Sequence, residues 1–434
     1  MARGLHDVNL TGRWLSLAGL LLMISGDGPF QTLGLSRWPT PLPFVASLPL
    51  YLPLLFLGFL FFGVANGLKS KTTPGVHAVI KPLGLLLGAF LLSTVASEVL
   101  RLSARSFLAV LIILSAGWGF VQLMGDERFR RAMGPVVAIA VVLLDVLVIS
   151  WRYDEGLNTE AYHLRNNAWL GKLQLTWVLN LFAPLLLGWA IGVPRRSLAA
   201  VYATAWLLTG AAMYFLYSRM GVIVFGMTTL GVLIFTLSQW RRTLGIVIVA
   251  AAVSVTLVGR TREMAHFVVS TIADPSLNPG VGMRLAIWSD ALRLFRLRPI
   301  TGHGLGTYDV VSYTETENAP DHEYLYRGSG WHAHNVYLHV LAEAGILGLA
   351  AWCYLWFTIL AQIFAAWRRA TPPDRTMLVG PFFALSAFLV LSLTEVMIAA
   401  RVHASFRMNL TLAFLVALAL SATQRRDTTA DYLK

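Results

Sequence analysis

Apolar residues run through this chain in long stretches, separated by short polar segments at fairly even intervals. Crossing a bilayer as a helix takes about 20 apolar residues. The pattern predicts about twelve such helices: 14–34, 44–66, 78–98, 105–124, 133–151, 172–193, 198–217, 220–239, 244–260, 336–366, 376–399 and 408–423. The first is broken by Gly26, Asp27, Gly28 and Pro29. No small-residue cleavage site follows it and a second apolar run comes soon after, so it is expected to be an anchor rather than a signal peptide.

Composition narrows the class further. Of 434 residues, 56% are hydrophobic and only 13% charged, against about 25% charged in soluble domains. A soluble globular enzyme, a disordered chain and a disulfide scaffold are excluded. The single cysteine, Cys353, allows no intramolecular disulfide. A net charge of +12 in a soluble protein would suggest nucleic acid. Here it fits loop arginines at an anionic membrane surface, with no nucleic-acid partner. Lys69 and Lys71, Arg128, Arg130 and Arg131, Arg195 and Arg196, Arg241 and Arg242, and Arg368, Arg369 and Arg375 sit in alternate short loops. Arg3, Arg13, Arg425, Arg426 and Lys434 lie toward the chain's ends. With twelve spans all of these fall on one side, which the positive-inside rule makes the cytoplasm, with both termini there.

The expected organisation is therefore residues 1–260 with nine spans, an external subdomain over 261–335, and residues 336–434 with three spans and a tail. A shorter external loop covers 152–171. Within the large loop, Val281, Leu285, Trp288, Leu292 and Phe295 recur at helical spacing, with Arg284, Asp290, Arg293 and Arg296 off that stripe and Pro299 ending the helix. Such a helix suits the membrane interface. Gly302-His303-Gly304-Leu305-Gly306 follows. It reads as a tight turn more readily than as a phosphate cradle, because no strand precedes it and no clear helix follows. Next, at the mouth of a span, stands Trp331-His332-Ala333-His334-Asn335.

A histidine there suits general-base work. The His-x-His pair, with Asp321, His322 and Glu323 nearby, also has the donor types of a zinc site, though no closed ligand set is present. Arg219 lies in a tight external hairpin after Tyr217 and Ser218. A cation so near hydrocarbon is a functional candidate, while Arg401 and Arg407 fit snorkelling to lipid phosphate. Arg165 adds external positive charge, which an anionic ligand arriving from the membrane would explain. Asp145 and Glu395 are the acids placed within spans. A transporter would place its charges at midplane in broken helices, whereas here the polar residues crowd the outer face.

His334-Asn335, nine residues, Gly345, two residues and Gly348 resemble the His-[Asn/Ser/Gln]-x9-Gly-x-x-[Gly/Thr/Tyr] signature of the O-antigen ligase and polymerase superfamily. Ser218-Arg219 at the start of a span is similar to that family's Ser-Arg element. Met283-Arg284 with Trp288, then Pro299 and the glycine turn, resembles the stretch between. The resemblance covers about 205–350. It implies an all-α integral membrane glycosyltransferase of the GT-C type, inverting, independent of metal and without cofactor. The layout fits an O-antigen ligase, with a polymerase or a protein O-oligosaccharyltransferase as alternatives. The donor would be an undecaprenyl-diphosphate-linked glycan and the acceptor a hydroxyl of lipid A–core. Transfer would occur at the periplasmic face of a bacterial inner membrane, by a monomer among membrane lipids. His334 would be the base, and Arg219 and Arg284 would hold the departing diphosphate. His332, Trp331, His303, Arg165 and Tyr337 are the candidate substrate contacts. Gly345 and Gly348 are expected to be helix-packing positions.

Overall fold

The computed structural model describes residues 2–25, 51–66, 74–154, 172–216, 218–237, 279–316, 332–396 and 403–423. Among these, helices are the regular elements and there is no strand. In chain order they are α1 (Ala2–Ser25), α2 (Tyr51–Asn66), α3 (Pro74–Val95), α4 (Leu100–Met124), α5 (Glu127–Asp154), α6 (Lys172–Gly192), α7 (Arg196–Phe215), α8 (Arg219–Thr236), α9 (Pro279–Leu297), α10 (Tyr308–Thr316), α11 (Val336–Arg369), α12 (Pro372–Leu391) and α13 (His403–Ala422). Eight are long and apolar enough to cross a membrane, and α2, α8 and α13 contain shorter apolar segments. The chain is a multi-pass, all-helical membrane protein. The expected span at 244–260 lies outside the described residues.

Several helix ends differ from the expected ones. The run at 376–399 ends as helix at Leu391, so Glu395 sits in a turn beyond α12 rather than inside a span. The expected start at 105 moves back to Leu100, bringing Ser103 and Ser106 onto α4 as buried residues. Arg407 is buried rather than snorkelling: its guanidinium donates to the carbonyls of Met23 and Leu22, terminal acceptors of α1.

Helix α6 is apolar on almost every side and is buried accordingly. Neighbours α7, α8 and α12 pack on it, and α12 lies against α8. Close approach of α6 to α12 depends on Gly188 and Gly380: a Cβ on Gly188 would stand 3.1 Å from the Cα of Gly380. Helix α11 lies along α3, and α9 docks on α11. At one end of the bundle, four segments meet: the α3–α4 corner, the turn after α9, the start of α11 and the turn after α12. Ser93 Oγ donates to the Glu343 carbonyl (2.6 Å), Ser97 Oγ to the His303 carbonyl (2.7 Å), and the Val336 amide to the Ser392 carbonyl (2.8 Å).

Gly345 interrupts α11 with φ 64 and ψ −166, a region that only glycine occupies readily. Its expected role was packing between helices. Instead the break lets the turn after α9 plug into α11: a Cβ at Gly345 would stand 2.2 Å from the Ile300 carbonyl oxygen. The Ile346 amide reaches the Pro299 carbonyl, and the His303 and Gly304 amides reach the Ala342 and Glu343 carbonyls. Replacing Gly345 with alanine therefore meets both a forbidden backbone conformation, roughly 1–3 kcal/mol, and a backbone clash. The expected result is a lower melting temperature in detergent and loss of protection of 299–307 in hydrogen exchange; wild-type protection would show that the break is not needed for docking.

Candidate active site at one end of the bundle

The segment before α11 is built to hold one histidine rigidly. Asn335 caps α11: its Oδ1 accepts from the Tyr337 amide (3.0 Å) and the Leu338 amide (3.1 Å). Its Nδ2 donates to the Leu393 carbonyl at 3.1 Å, tying the cap to the turn after α12. His334, just before the cap, has φ 46, the only positive φ outside glycine among the described residues. Histidine visits this region at a cost, and the Asn335 cap bonds that follow it help to hold it.

The imidazole of His334 meets Glu395. Nδ1 donates to Glu395 Oε2 at 2.9 Å, while Arg284 Nη2 donates to Glu395 Oε1 at 3.0 Å. Glu395 is 3% exposed, so this carboxylate, removed from water, is satisfied by one group on each oxygen. With Nδ1 committed as donor, Nε2 of His334 is the nitrogen left to accept a proton. The sequence pattern marked Glu395 only as an acid within a span. No spacing signal connects it to His334, 61 residues away.

His332 stands beside this pair, ring centroids 4.2 Å apart, and its Nδ1 accepts weakly from the His334 amide at 3.4 Å. Burial, then the neighbouring His334 and His339, pushes the His332 pKa down to about 3, so it is neutral at physiological pH. The donor atoms of His332, His334 and Glu395 lie within 4.8 Å of one another, close enough to surround a small cation. The donor set does not favour that use. Glu395 is already bonded to His334 on one side and to a guanidinium on the other, and a fixed positive charge at the ligand oxygen opposes a metal ion.

Arg284 lies on α9. The expected stripe of that helix is not its packing face. Leu285 and Leu292 are exposed, whereas Ile287, Asp290, Ala291 and Leu294 are buried against α10 and α11. Polar Asp290 is admitted to the buried face because it accepts from Arg293 (2.6 Å) and from Ser312 Oγ (2.6 Å). Trp288, one turn beyond Arg284, has a buried indole Nε1 with no hydrogen-bond partner among the described residues.

Other candidate residues are divided. Tyr337 is close by in sequence, but its hydroxyl donates to the Leu389 carbonyl at 3.0 Å. His303 is buried, with its Nε2 2.9 Å from the Leu294 carbonyl near the end of α9. It serves as a strut between α9 and the glycine turn rather than lining the site beside His334. The glycine turn, contrary to the expectation, does precede a helix, α10. The anion at that N-terminus is the protein's own: Glu343 Oε1 accepts from the Tyr308 amide at 3.1 Å. Cβ atoms at Gly304 and Gly306 would strike Ser97 Oγ and Ser106 Oγ. The turn is packed, leaving no phosphate cradle there.

Arg219 is the first residue of α8, and Ser218 caps that helix by accepting from the Gly221 amide at 3.1 Å. The side chain of Arg219, together with Arg165 and Trp331, lies outside the described residues. Gly231 of α8 meets Phe383 of α12, which sets these two helices side by side.

The pKa of His332 yields a testable sign. A histidine held neutral when folded contributes stability fully above its unfolded pKa, near 6.5, and loses it as pH falls toward 3. Melting temperature in detergent is expected to fall below pH 6.5, and His332→Gln to flatten that fall. An identical slope in the variant would show that His332 is not the group responsible.

Residues 203–353 match the family model described as O-antigen ligase. That stretch holds Ser218, Arg219, Arg284, His303, His332, His334 and Tyr337. The chain is also 25% identical over 106 residues to the exopolysaccharide production protein ExoQ of Rhizobium meliloti (strain 1021), covering 24% of each chain. The match thus spans about a quarter of that relative's length. The His-Asn-x9-Gly and Ser-Arg elements fall within the stretch, residues 203–353, that is similar to the O-antigen ligase family.

Proposed function

We propose that this protein is a GT-C-type glycosyltransferase acting as an O-antigen ligase. It would transfer glycan from an undecaprenyl-diphosphate carrier to a hydroxyl of lipid A–core. The carrying observation is the His334–Glu395–Arg284 cluster, with a base nitrogen and a guanidinium on the two oxygens of one buried carboxylate. The family match over 203–353 supports the same reading.

The chemistry follows from that cluster. Nε2 of His334 takes the proton of the acceptor hydroxyl as its oxygen attacks the anomeric carbon, a contribution of roughly 10²–10⁴-fold. The bond to the diphosphate breaks on the opposite face, so the configuration inverts. Charge growing on the diphosphate is met by the Arg284 fork and by Arg219 at the start of α8, without a metal ion or a cofactor. The exposed Leu285 and Leu292 face of α9 provides an apolar surface for the prenyl chain entering from lipid. In this reading the chain has twelve spans with the external subdomain at 261–335, both termini are cytoplasmic, and the site faces the periplasm of a bacterial inner membrane. The protein works as a monomer.

A polymerase uses the same donor chemistry with a second prenyl-linked chain as acceptor, and the similarity to an exopolysaccharide production protein makes this the competing reading. Lipopolysaccharide from a deletion strain separates them. A ligase leaves uncapped core with long prenyl-linked chains accumulating, and a polymerase leaves core with a single repeat.

His334→Ala is expected to abolish transfer in a purified assay with a prenyl-diphosphate glycan and rough lipopolysaccharide, while insertion and elution profile stay normal. Smooth lipopolysaccharide in cells carrying that variant would refute the base assignment. Arg284→Lys is expected to cut turnover by about tenfold or more, because an ammonium cannot copy the planar fork. EDTA is expected to leave the rate unchanged; a loss restored by zinc would move the His332 and His334 pair to a metal role.

A further inference from the structure

Glu395 gives one oxygen to the base and the other to the cation, so the two functional groups compete for one negative charge. The geometry of the competition is lopsided. The Arg284 side chain is 37% exposed and holds Glu395 through one nitrogen, Nη2, whereas the Glu395 side chain is 5% exposed. The guanidinium is free to turn toward an arriving anion; the carboxylate is confined. His334 is confined as well, between its Asn335 cap and its strained backbone.

We propose that Glu395 is a positioning residue that couples donor occupancy to the strength of the base: an arriving diphosphate draws Arg284 away, and the undivided charge of Glu395 then falls on His334. The proposal rests on the assignment of Arg284 to the diphosphate made above. A diphosphate carries more charge than a carboxylate and offers several oxygens to a planar fork, so it out-competes Glu395 for Arg284. Once released, Glu395 stabilises the imidazolium that forms when His334 Nε2 accepts the acceptor's proton. The charged and titratable groups facing His334 among the described residues are Glu395 and Arg284, with His332 held neutral beside it. His339 is paired instead with Glu343 at 3.3 Å, further into α11.

The consequence is that Glu395 gives its full charge to His334 only once the donor is bound. The atoms balance in the loaded state. The proton passes from the acceptor hydroxyl to Nε2, the new glycosidic bond forms, and the electron pair of the old one leaves with the diphosphate on Arg284. The Nδ1 hydrogen stays on His334, donated to Glu395 Oε2, throughout.

The test uses the full-length protein in detergent with inorganic pyrophosphate as probe. In Glu395→Gln the restraint on Arg284 is gone. Pyrophosphate is then expected to bind about three- to tenfold more tightly, the scale of one partly exposed ion pair, while transfer falls by about 10²-fold or more. A merely structural role would weaken both. In Arg284→Ala pyrophosphate binding weakens, and adding Glu395→Gln brings no further gain, because Glu395 acts through Arg284. In wild-type protein the His334 ring resonances are expected to titrate at higher pH with pyrophosphate bound, and by a smaller margin in Glu395→Gln. Unchanged or weaker pyrophosphate binding by folded Glu395→Gln overturns the coupling. If that variant fails to fold, a wild-type His334 titration indifferent to pyrophosphate overturns it equally. Wild-type protein that binds pyrophosphate and transfers glycan while failing either comparison loses the coupling alone; wild-type protein that neither binds nor transfers loses the proposed function as well.

Discussion

A carboxylate held out of water must be satisfied by the protein, and Glu395 imposes that constraint on one whole end of this bundle. Bulk water would solvate it at no structural cost. Here it is 3% exposed, and its two oxygens take a guanidinium from α9 and an imidazole from the segment before α11. An uncompensated charge at this position would cost several kcal/mol. Three parts of the chain far apart in sequence are therefore held together by one acid, which gathers an imidazole and a guanidinium at one place.

The surrounding fold serves the same end by a series of local exclusions. Asn335 spends its side chain on capping α11 and on the turn after α12, which leaves His334 fixed in a conformation that a free chain would abandon. Gly345 opens α11 so that the turn after α9 can plug into it, and the serines of the α3–α4 corner take the carbonyls that this plug exposes. Asp290 ties α9 to α10 through Ser312. Each of these bonds removes a degree of freedom from α9, the helix that presents Arg284. Under the proposed function such precision counts, since donors must already point at the charge that develops.

Polar groups inside the apolar bundle follow the same logic where no chemistry is proposed. Asp145, fully buried, accepts from Thr209 at 2.9 Å and joins α5 to α7. Arg407 turns inward to the carbonyls of α1 instead of outward to lipid. The sequence cannot separate such residues from functional ones, because the cost of a buried charge is the same whichever role repays it.

Much of the architecture was legible from the chain alone. Long apolar runs have no alternative to spanning helices, because unpaired backbone groups are not tolerated in hydrocarbon. Motif spacing singled out His334, Arg284 and Arg219 as candidates, and the fold brings the first two to Glu395. Tertiary structure alone decided the rest. Glu395 lies 61 residues from His334 and 111 from Arg284, and no periodicity relates positions joined only by folding. The buried face of α9 was also beyond the pattern: its leucines are as compatible with lipid as with protein, so a hydrophobic stripe at the membrane surface does not say which side is the core. Gly345 shows the same limit. Small size marks a glycine for close packing, but a positive φ is visible only once the chain that fills the break is in place.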